Sequence, residues 1–392
     1  MRPDTRSELV QRLFHYLDTG TTAMADAMFR NPVAAYTSEE RLALEKRVLF
    51  RQCPLLVAFS SQLAAPGSYL TDDDAGTPIL LVRSASGRLH AFANVCRHRG
   101  ARVAEGCGIK RAFACPYHGW TYDLDGALVD IPGEEGFAGL PRHEHGLRPL
   151  AVVEKYGLVW VRPDATPVDI DAHLAGLGPE LESFGFERWH HFETRTLRPR
   201  INWKIAVDTF LEAYHLAVLH ARSVLPIFIG NLCASDAFGP HHRMIAVRRS
   251  FADARDRHDA ERDFLRHTIE LYTLFPNTVF VHQADHVEVW RMFPGERPDA
   301  ATVHLSLYVP EAPATDKARQ HWAANVQLAL DAVDTEDFRL GEGIQRGFAS
   351  GAQDHVTYGR NEPALIHFHR SLERALGVER RDFGLTPAPG QA

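Results

Sequence analysis

The sequence is poor in cysteine and methionine, with five of each in 392 residues. The cysteines (Cys53, Cys96, Cys107, Cys115 and Cys233) are odd in number and follow no framework spacing. That argues against a disulfide-stapled secreted fold and makes a reducing cytoplasm the expected location. No apolar run reaches the length of a membrane span, and residues 1–20 lack the continuous apolar core of a signal peptide. Charge of one sign is also scarce. The 43 basic and 50 acidic side chains leave a formal charge of -7, against the basic face that a nucleic-acid partner would need. There is no glycine-rich dinucleotide fingerprint, no flavin motif and no internal repeat. What remains, 45% hydrophobic and 24% charged, is an ordinary globular composition in a chain long enough for two domains.

Against that background one stretch stands out, Cys96-Arg97-His98 and Cys115-Pro116-Tyr117-His118, with sixteen residues between His98 and Cys115. Two thiolates and two imidazoles are a metal-ligand set. A zinc site of the finger type groups like ligands at C-x2-4-C and H-x3-5-H, whereas here each half is mixed. The mixed order suits a 2Fe–2S centre in which two cysteines hold one iron and two histidines the other. Gly100 and Gly119 permit a tight backbone turn beside each pair, and Pro116 stiffens the second loop. Cys107 lies between the halves without a histidine at ligand spacing and reads as a small buried or semi-buried thiol.

Along the chain, Leu9, Leu13, Tyr16 and Leu17 follow helical spacing, and residues 1–38 read as helical with Pro32 as an interruption. Ser38-Glu39-Glu40-Arg41 resembles a capping box opening a helix. From Cys53 the texture changes to short strand-like runs, 55–57, 79–82, 89–92, 151–153 and 158–161, with Asp125-Gly126 as a hairpin turn in 120–128. Residues 163–195 read as a connector. Further on, 259–274 reads as a charged amphipathic helix, 242–251, 278–293 and 302–309 as strands, and 317–347 as helical. The tail 386–392 reads as disordered.

A second dense stretch runs from Asp208 to His220. On a helix Glu212 would neighbour both Asp208 and His215. His215 and His220, five apart, would point roughly 140° from each other, so they can share an ion only if the helix ends, bends or widens between them. Further downstream the acids crowd together: Asp331, Asp334, Glu336, Asp337, Glu342 and Asp354.

Asn94–Gly100 and Cys115–Trp120 resemble the two cluster-binding loops of Rieske proteins. Asn202-Trp203-Lys204, Glu212-Ala213-Tyr214-His215 and His220 resemble the iron motif of Rieske non-haem iron oxygenases, in particular the α (oxygenase) subunits of the aromatic ring-hydroxylating type. The resemblance spans about residues 40–370. It implies an α+β fold: a small antiparallel β Rieske domain over 39–163 and a larger catalytic domain over 164–385. The latter would hold an antiparallel sheet flanked by helices (helix-grip-like), with segment 1–38 packing on it. Cys96, His98, Cys115 and His118 would bind the cluster. His215, His220 and, by its fit to the late acidic pattern, Asp337 would bind Fe(II), with Asp334 in reserve. Glu212 falls where the family places a carboxylate bridging His215 to the cluster histidine His118 of a neighbouring subunit in a head-to-tail ring, a homotrimer or a multiple of it. Asp208 would support from outside. Thr209 stands where many members have asparagine.

The implied activity is a terminal oxygenase using O2 and electrons from NAD(P)H through a separate reductase and, in some systems, a ferredoxin. It would hydroxylate or oxidatively demethylate an organic, aromatic substrate. The alternative is a monooxygenase of choline-, carnitine- or betaine-like quaternary ammonium compounds, a branch that Glu at position 212 resembles. A Rieske electron-transfer protein without oxygenase activity would need only about 100–120 residues, and a zinc-stabilised binding protein would be colourless. The residues Trp120 and Tyr117 are expected to cover the cluster, Trp203 and Phe210 to lie in the core, and Lys204 to be an ion-pair partner on the helix. His190, His191, His241, His242, His282, His286, His367 and His369 are expected to be surface or hydrogen-bonded strand histidines.

Overall fold

The computed structural model describes residues 1–255 and 261–378. It divides into two compact units, one formed by Lys46–His173 with Gly185–Trp189, the other by Met1–Glu45, Leu174–Phe184 and the chain from His190 onward. The first boundary falls within the helix Glu39–Gln52, and the tail 386–392 lies outside the described residues.

The smaller unit is built on a seven-stranded antiparallel sheet. Its strand order is Leu55–Phe59, Leu158–Arg162, Pro149–Lys155, Leu89–Ala93, Ile79–Arg83, Ser68–Asp72 and Cys107–Ile109. The two strands Leu55–Phe59 and Ile79–Arg83 are buried along their whole length, so their apolar runs are continuous instead of alternating. Beside them sits a three-stranded sheet of Phe113–Ala114, Thr121–Tyr122 and Leu128–Asp130. Leu80, Val82, Phe92, Phe113, Trp120 and Tyr122 form the apolar core that also encloses Cys96 and Cys115. Cys107 is exposed, against expectation. It sits on the three-residue edge strand Cys107–Ile109, whose every residue faces solvent.

The larger unit carries a seven-stranded antiparallel sheet ordered His190–Leu197, Ala301–Val309, Val287–Pro294, Thr278–His282, Thr268–Leu274, His241–Arg248 and Phe228–Phe238. The helices Pro3–Thr19, Trp203–Asp208 and Pro363–Leu376 pack on it. Three local expectations are corrected. Residues 20–38 are not helical: Phe29–Pro32 pairs as a strand with His355–Tyr358, and only Ala34–Thr37 turns helically. The 259–274 segment is not one helix. Beyond the short turn Phe264–His267, Thr268–Leu274 is an inner strand paired on both edges, because its β-branched and aromatic residues suit a buried pleat. Its residues 259 and 260 lie outside the described residues. The 163–195 connector contains the helices Ile170–Leu174 and Gly178–Glu182 and the start of the strand His190–Leu197.

At the start of Glu39–Gln52, Ser38 Oγ accepts from Arg41 N at 3.0 Å. The reciprocal arm of a capping box cannot form, because an arginine three residues on has no acceptor atom; Arg41 Nε donates to Glu45 Oε1 at 3.0 Å instead. Lys204 is fully buried, and its partner is off its own helix. Its Nζ reaches both oxygens of Glu45 at 2.8 Å.

Candidate active site

In the smaller unit the two ligand-bearing loops are closed in the same way. Cys96 N donates to Ala101 O at 2.7 Å, and Gly100 N to Cys96 O at 3.0 Å. Cys115 N donates to Trp120 O at 2.8 Å, and Gly119 N to Cys115 O at 2.9 Å. Both turns need a left-handed residue, supplied by Gly100 at φ 81° and Gly119 at φ 73°. The buried Asn94 pins the first loop, accepting from Val103 N and Ala104 N and donating to Ala104 O.

The loop tips bring the four expected residues together. Cys96 and Cys115 are buried free thiols. The rings of His98 and His118 lie 4.6 Å apart. His98 stacks on the buried Trp120 at 4.9 Å, and its Nδ1 is buried without a hydrogen-bond partner among the described residues. A buried, unpaired imidazole nitrogen is costly unless something coordinates it, so the donor set fits a Rieske cluster. Tyr117 is exposed and stacks on His118 at 3.8 Å, so Trp120 shields the pair from inside while Tyr117 covers only an outer face. Tyr122 was not foreseen. Its hydroxyl accepts from Arg97 N at 2.9 Å, which leaves the phenol proton free for Cys96 Sγ at 3.3 Å. Burial, reinforced by that sulfur contact, pushes its pKa above the usual phenol value.

In the larger unit the helix Trp203–Asp208, capped by Asn202 Oδ1 on Lys204 N, ends before Glu212 is reached. A short helical turn, His215–Ala217, follows. The break removes the 140° divergence, and the rings of His215 and His220 come within 5.0 Å. The ligand nitrogens of both and a carboxylate oxygen of Asp337 lie within 4.8 Å of one another. Asp337 sits in a π-helical turn, Val333–Phe338, between the helices Asp316–Ala332 and Arg339–Ala349. Such wide turns recur at functional sites, and this one aims a buried Asp337 inward while Asp334 stays exposed. Among the other acids, Asp331 and Asp354 are also exposed, and Glu342 accepts from Arg200 N.

Each histidine is oriented from behind. Glu212 Oε1 accepts from His215 Nδ1, while its Oε2 caps the turn on Tyr214 N and His215 N. Glu336 Oε2 lies 2.5 Å from His220 Nδ1 and accepts from Ser223 Oγ at 2.7 Å. With both Nδ1 atoms so engaged, both Nε2 atoms face Asp337 Oδ1, at 3.7 and 3.2 Å. Two imidazoles and one carboxylate are the facial donor set of non-haem Fe(II) oxygenases, so the residues fit that metal. Sequence reasoning placed Glu336 only among candidate ligands. The sequence carries no signal of this second role, because the widened turn that sets Glu336 against the other side of His220 is visible only in the structure.

Asp208 does not touch His215. Its carboxylate accepts from Tyr36 at 2.6 Å and lies 2.9 Å from His369 Nε2, tying the helix end to Pro363–Leu376. His367 and His369 are therefore helical, not strand, residues. Phe210 packs on Trp290 and also lines a cavity of about 500 Å³ beside the histidines. Trp203 is core alone.

Comparison with known proteins identifies the two domains that carry these residues. Residues 53–148 match the Rieske 2Fe-2S domain, and residues 186–377 match the ring hydroxylating alpha subunit catalytic domain. The chain is 34% identical, over 88% of each sequence, to the glycine betaine monooxygenase oxygenase subunit of Pseudomonas aeruginosa. It is 27% identical to the carnitine monooxygenase oxygenase subunit of Escherichia coli, over 87% of this chain and 92% of that one. A solved quaternary ammonium Rieske monooxygenase superposes with a TM-score of 0.78 at 23% identity, covering 89% and 96% of the two chains. Naphthalene 1,2-dioxygenase from Rhodococcus gives 0.74 at 18%, covering 95% and 98%. The chain belongs to the Rieske non-haem iron oxygenases, as an oxygenase subunit. It is an enzyme that uses a Rieske cluster, a mononuclear iron, O2 and electrons supplied by a reductase. Among the described residues no helix is long and apolar enough to cross a membrane.

Proposed function

We propose that this oxygenase acts on a small quaternary ammonium compound. The observation that carries this reading is the alignment over 88% of both chains with a glycine betaine monooxygenase subunit. Glu212, at the position where the quaternary-ammonium branch also carries Glu, supports it. An aromatic substrate has thinner support, since the sequence relatives aligned along most of this chain are quaternary ammonium monooxygenase subunits.

In this reading Cys96, His98, Cys115 and His118 hold the cluster, and His215, His220 and Asp337 hold the iron. When bound, these groups supply electrons and oxygen activation. The protein's own part is to position and to exclude. Glu212 and Glu336 fix the imidazole tautomers, and the cavity keeps the substrate beside Asp337 with Phe210 as an apolar wall. One oxygen atom enters a C–H bond, and the other leaves as water, with two electrons and two protons consumed. A hydroxyl placed on a carbon bonded to the ammonium nitrogen then collapses to an aldehyde and a tertiary amine.

The subunits are proposed to form a head-to-tail ring, a homotrimer or a multiple of it, with Glu212 meeting His118 of the next chain. The exposed His118 and Tyr117 on the cluster loop, and the exposed Tyr214 and Val218 beside Glu212, give each partner an apolar rim. The test is oxygen uptake with a suitable NAD(P)H-dependent reductase and glycine betaine or carnitine. Equimolar aldehyde and tertiary amine support the reading; turnover confined to aromatic substrates overturns it.

A further inference from the structure

Arg248 ends the strand His241–Arg248, and its side chain lines the same cavity as His215, His220 and Asp337. Its Nη2 donates to Gln283 Oε1 at 2.6 Å and its Nε to Thr268 O at 3.3 Å, while its guanidinium lies over the Phe228 ring at 5.3 Å. A guanidinium carries five N–H donors, so the Nη1 edge remains without a partner among the described residues.

The buried arginines among the described residues each have a carboxylate. Arg243, on the same strand, pairs with Glu180 at 3.1 Å and Asp236 at 2.8 Å. Arg83 pairs with Glu154 at 2.7 Å, and Arg41 with Glu45 at 3.0 Å. Arg248 has none. The acid whose field reaches it, Asp285, is engaged by His286 Nδ1 at 2.8 Å and lies 3.5 Å from His321 Nε2. Burial lowers the Arg248 pKa, with Asp285 opposing, yet an arginine stays charged throughout the working range of pH. Two contacts to neutral oxygens could be made by a neutral donor. A half-buried cation at a cavity wall, with no counter-ion among the described residues, carries a cost that an anionic ligand relieves.

We propose that Arg248 is the anion anchor of this cavity and takes the carboxylate of the substrate. Its fork is shaped for bidentate carboxylate recognition, and Gln283 holds the fork in place. This inference rests on the quaternary-ammonium reading for the rest of the substrate and narrows it. The substrate is a zwitterion of the betaine type, and a purely cationic alcohol such as choline is disfavoured because it meets Arg248 with no compensating charge.

The test is calorimetric titration of the anaerobic iron-loaded protein with three ligands. They are glycine betaine, choline, and tert-butylacetate, in which carbon replaces the nitrogen of glycine betaine. Wild type is expected to bind both carboxylates more tightly than choline. Arg248→Gln should weaken both carboxylates by about 10- to 100-fold, the range for a charge-assisted pair, and leave choline unchanged or tighter. Arg248→Lys should keep the charge, lose the fork and fall between. If Arg248→Gln loses its melting transition, Arg248→Lys carries the comparison, and carboxylates no weaker relative to choline would overturn the proposal. Glycine betaine bound equally by wild type and both variants overturns the anchor while leaving the quaternary-ammonium reading intact. Tert-butylacetate bound as tightly as glycine betaine overturns that reading while supporting the anchor. No binding of any of the three by wild type overturns both.

Discussion

Glu336 and Asp337 are adjacent in sequence but meet opposite edges of one ring: Glu336 Oε2 lies 2.5 Å from His220 Nδ1, and Asp337 Oδ1 lies 3.2 Å from His220 Nε2. The widened turn Val333–Phe338 presents the two carboxylates to a single imidazole. Glu336 fixes which nitrogen is free for a metal. Replacing it by Gln should lower iron affinity about 10- to 100-fold, as loss of a carboxylate behind a ligand histidine does. Competition with a chelator reads this directly, and the visible spectrum of the cluster should not move.

The Tyr122 hydroxyl, 3.3 Å from Cys96 Sγ, would donate to a cluster sulfur where Cys96 is the proposed ligand. Hydrogen bonds to the sulfurs raise a cluster's potential by stabilising the reduced state's extra charge. Tyr122→Phe should therefore shift the potential downward in protein-film voltammetry with iron and sulfide content unchanged. An unshifted potential would show that the hydroxyl serves only Arg97 N.

Glu45 collects Lys204, Trp203 and Arg41 in the interior of the larger unit, with Lys204 Nζ at 2.8 Å and Trp203 Nε1 at 2.8 Å. Glu45→Gln leaves Lys204 buried without its counter-charge and should cost about 3–5 kcal/mol in chemical denaturation. A loss below about 1 kcal/mol would mean that Lys204, whose pKa burial already lowers, gives up its proton when the carboxylate is removed.

His242 is buried beside His367, with its Nε2 2.7 Å from Ser235 Oγ. Burial, with His367 adding to it, depresses its pKa from 6.5 to about 3. The folded imidazole thus stays neutral where the unfolded one binds a proton. Stability is fully present above pH 6.5 and is lost as pH falls from 6.5 toward 3, by up to about 1.4 kcal/mol per pH unit. Denaturation midpoints across that window should flatten in His242→Gln.

The cluster loops were legible because their ligands are neighbours in sequence, with Gly100 and Gly119 marking the turns. Both histidines of the candidate iron site were legible as a motif, although their geometry was not. Helical spacing placed His215 and His220 apart, and the helix stops at Asp208, where sequence shows no breaker. Thr268–Leu274 was misread because its charged flank suggests a helix, while its partners, His241–Arg248 and Thr278–His282, decide its state. Arg248 carried no signal at all. Its meaning comes from what its neighbours lack, and those neighbours arrive from Phe228, Thr268 and Gln283 through the sheet.

The central claim is that one chain holds a cluster and a separate iron on the residues named. Iron and acid-labile sulfide analysis of wild type and Asp337→Ala tests it most directly. About three irons and two sulfides per chain in wild type, falling to about two and two in the variant with the cluster spectrum intact, is the expected result. Three irons retained in Asp337→Ala would contradict the iron assignment, and zinc without sulfide in anaerobically prepared wild type would contradict the account at both sites.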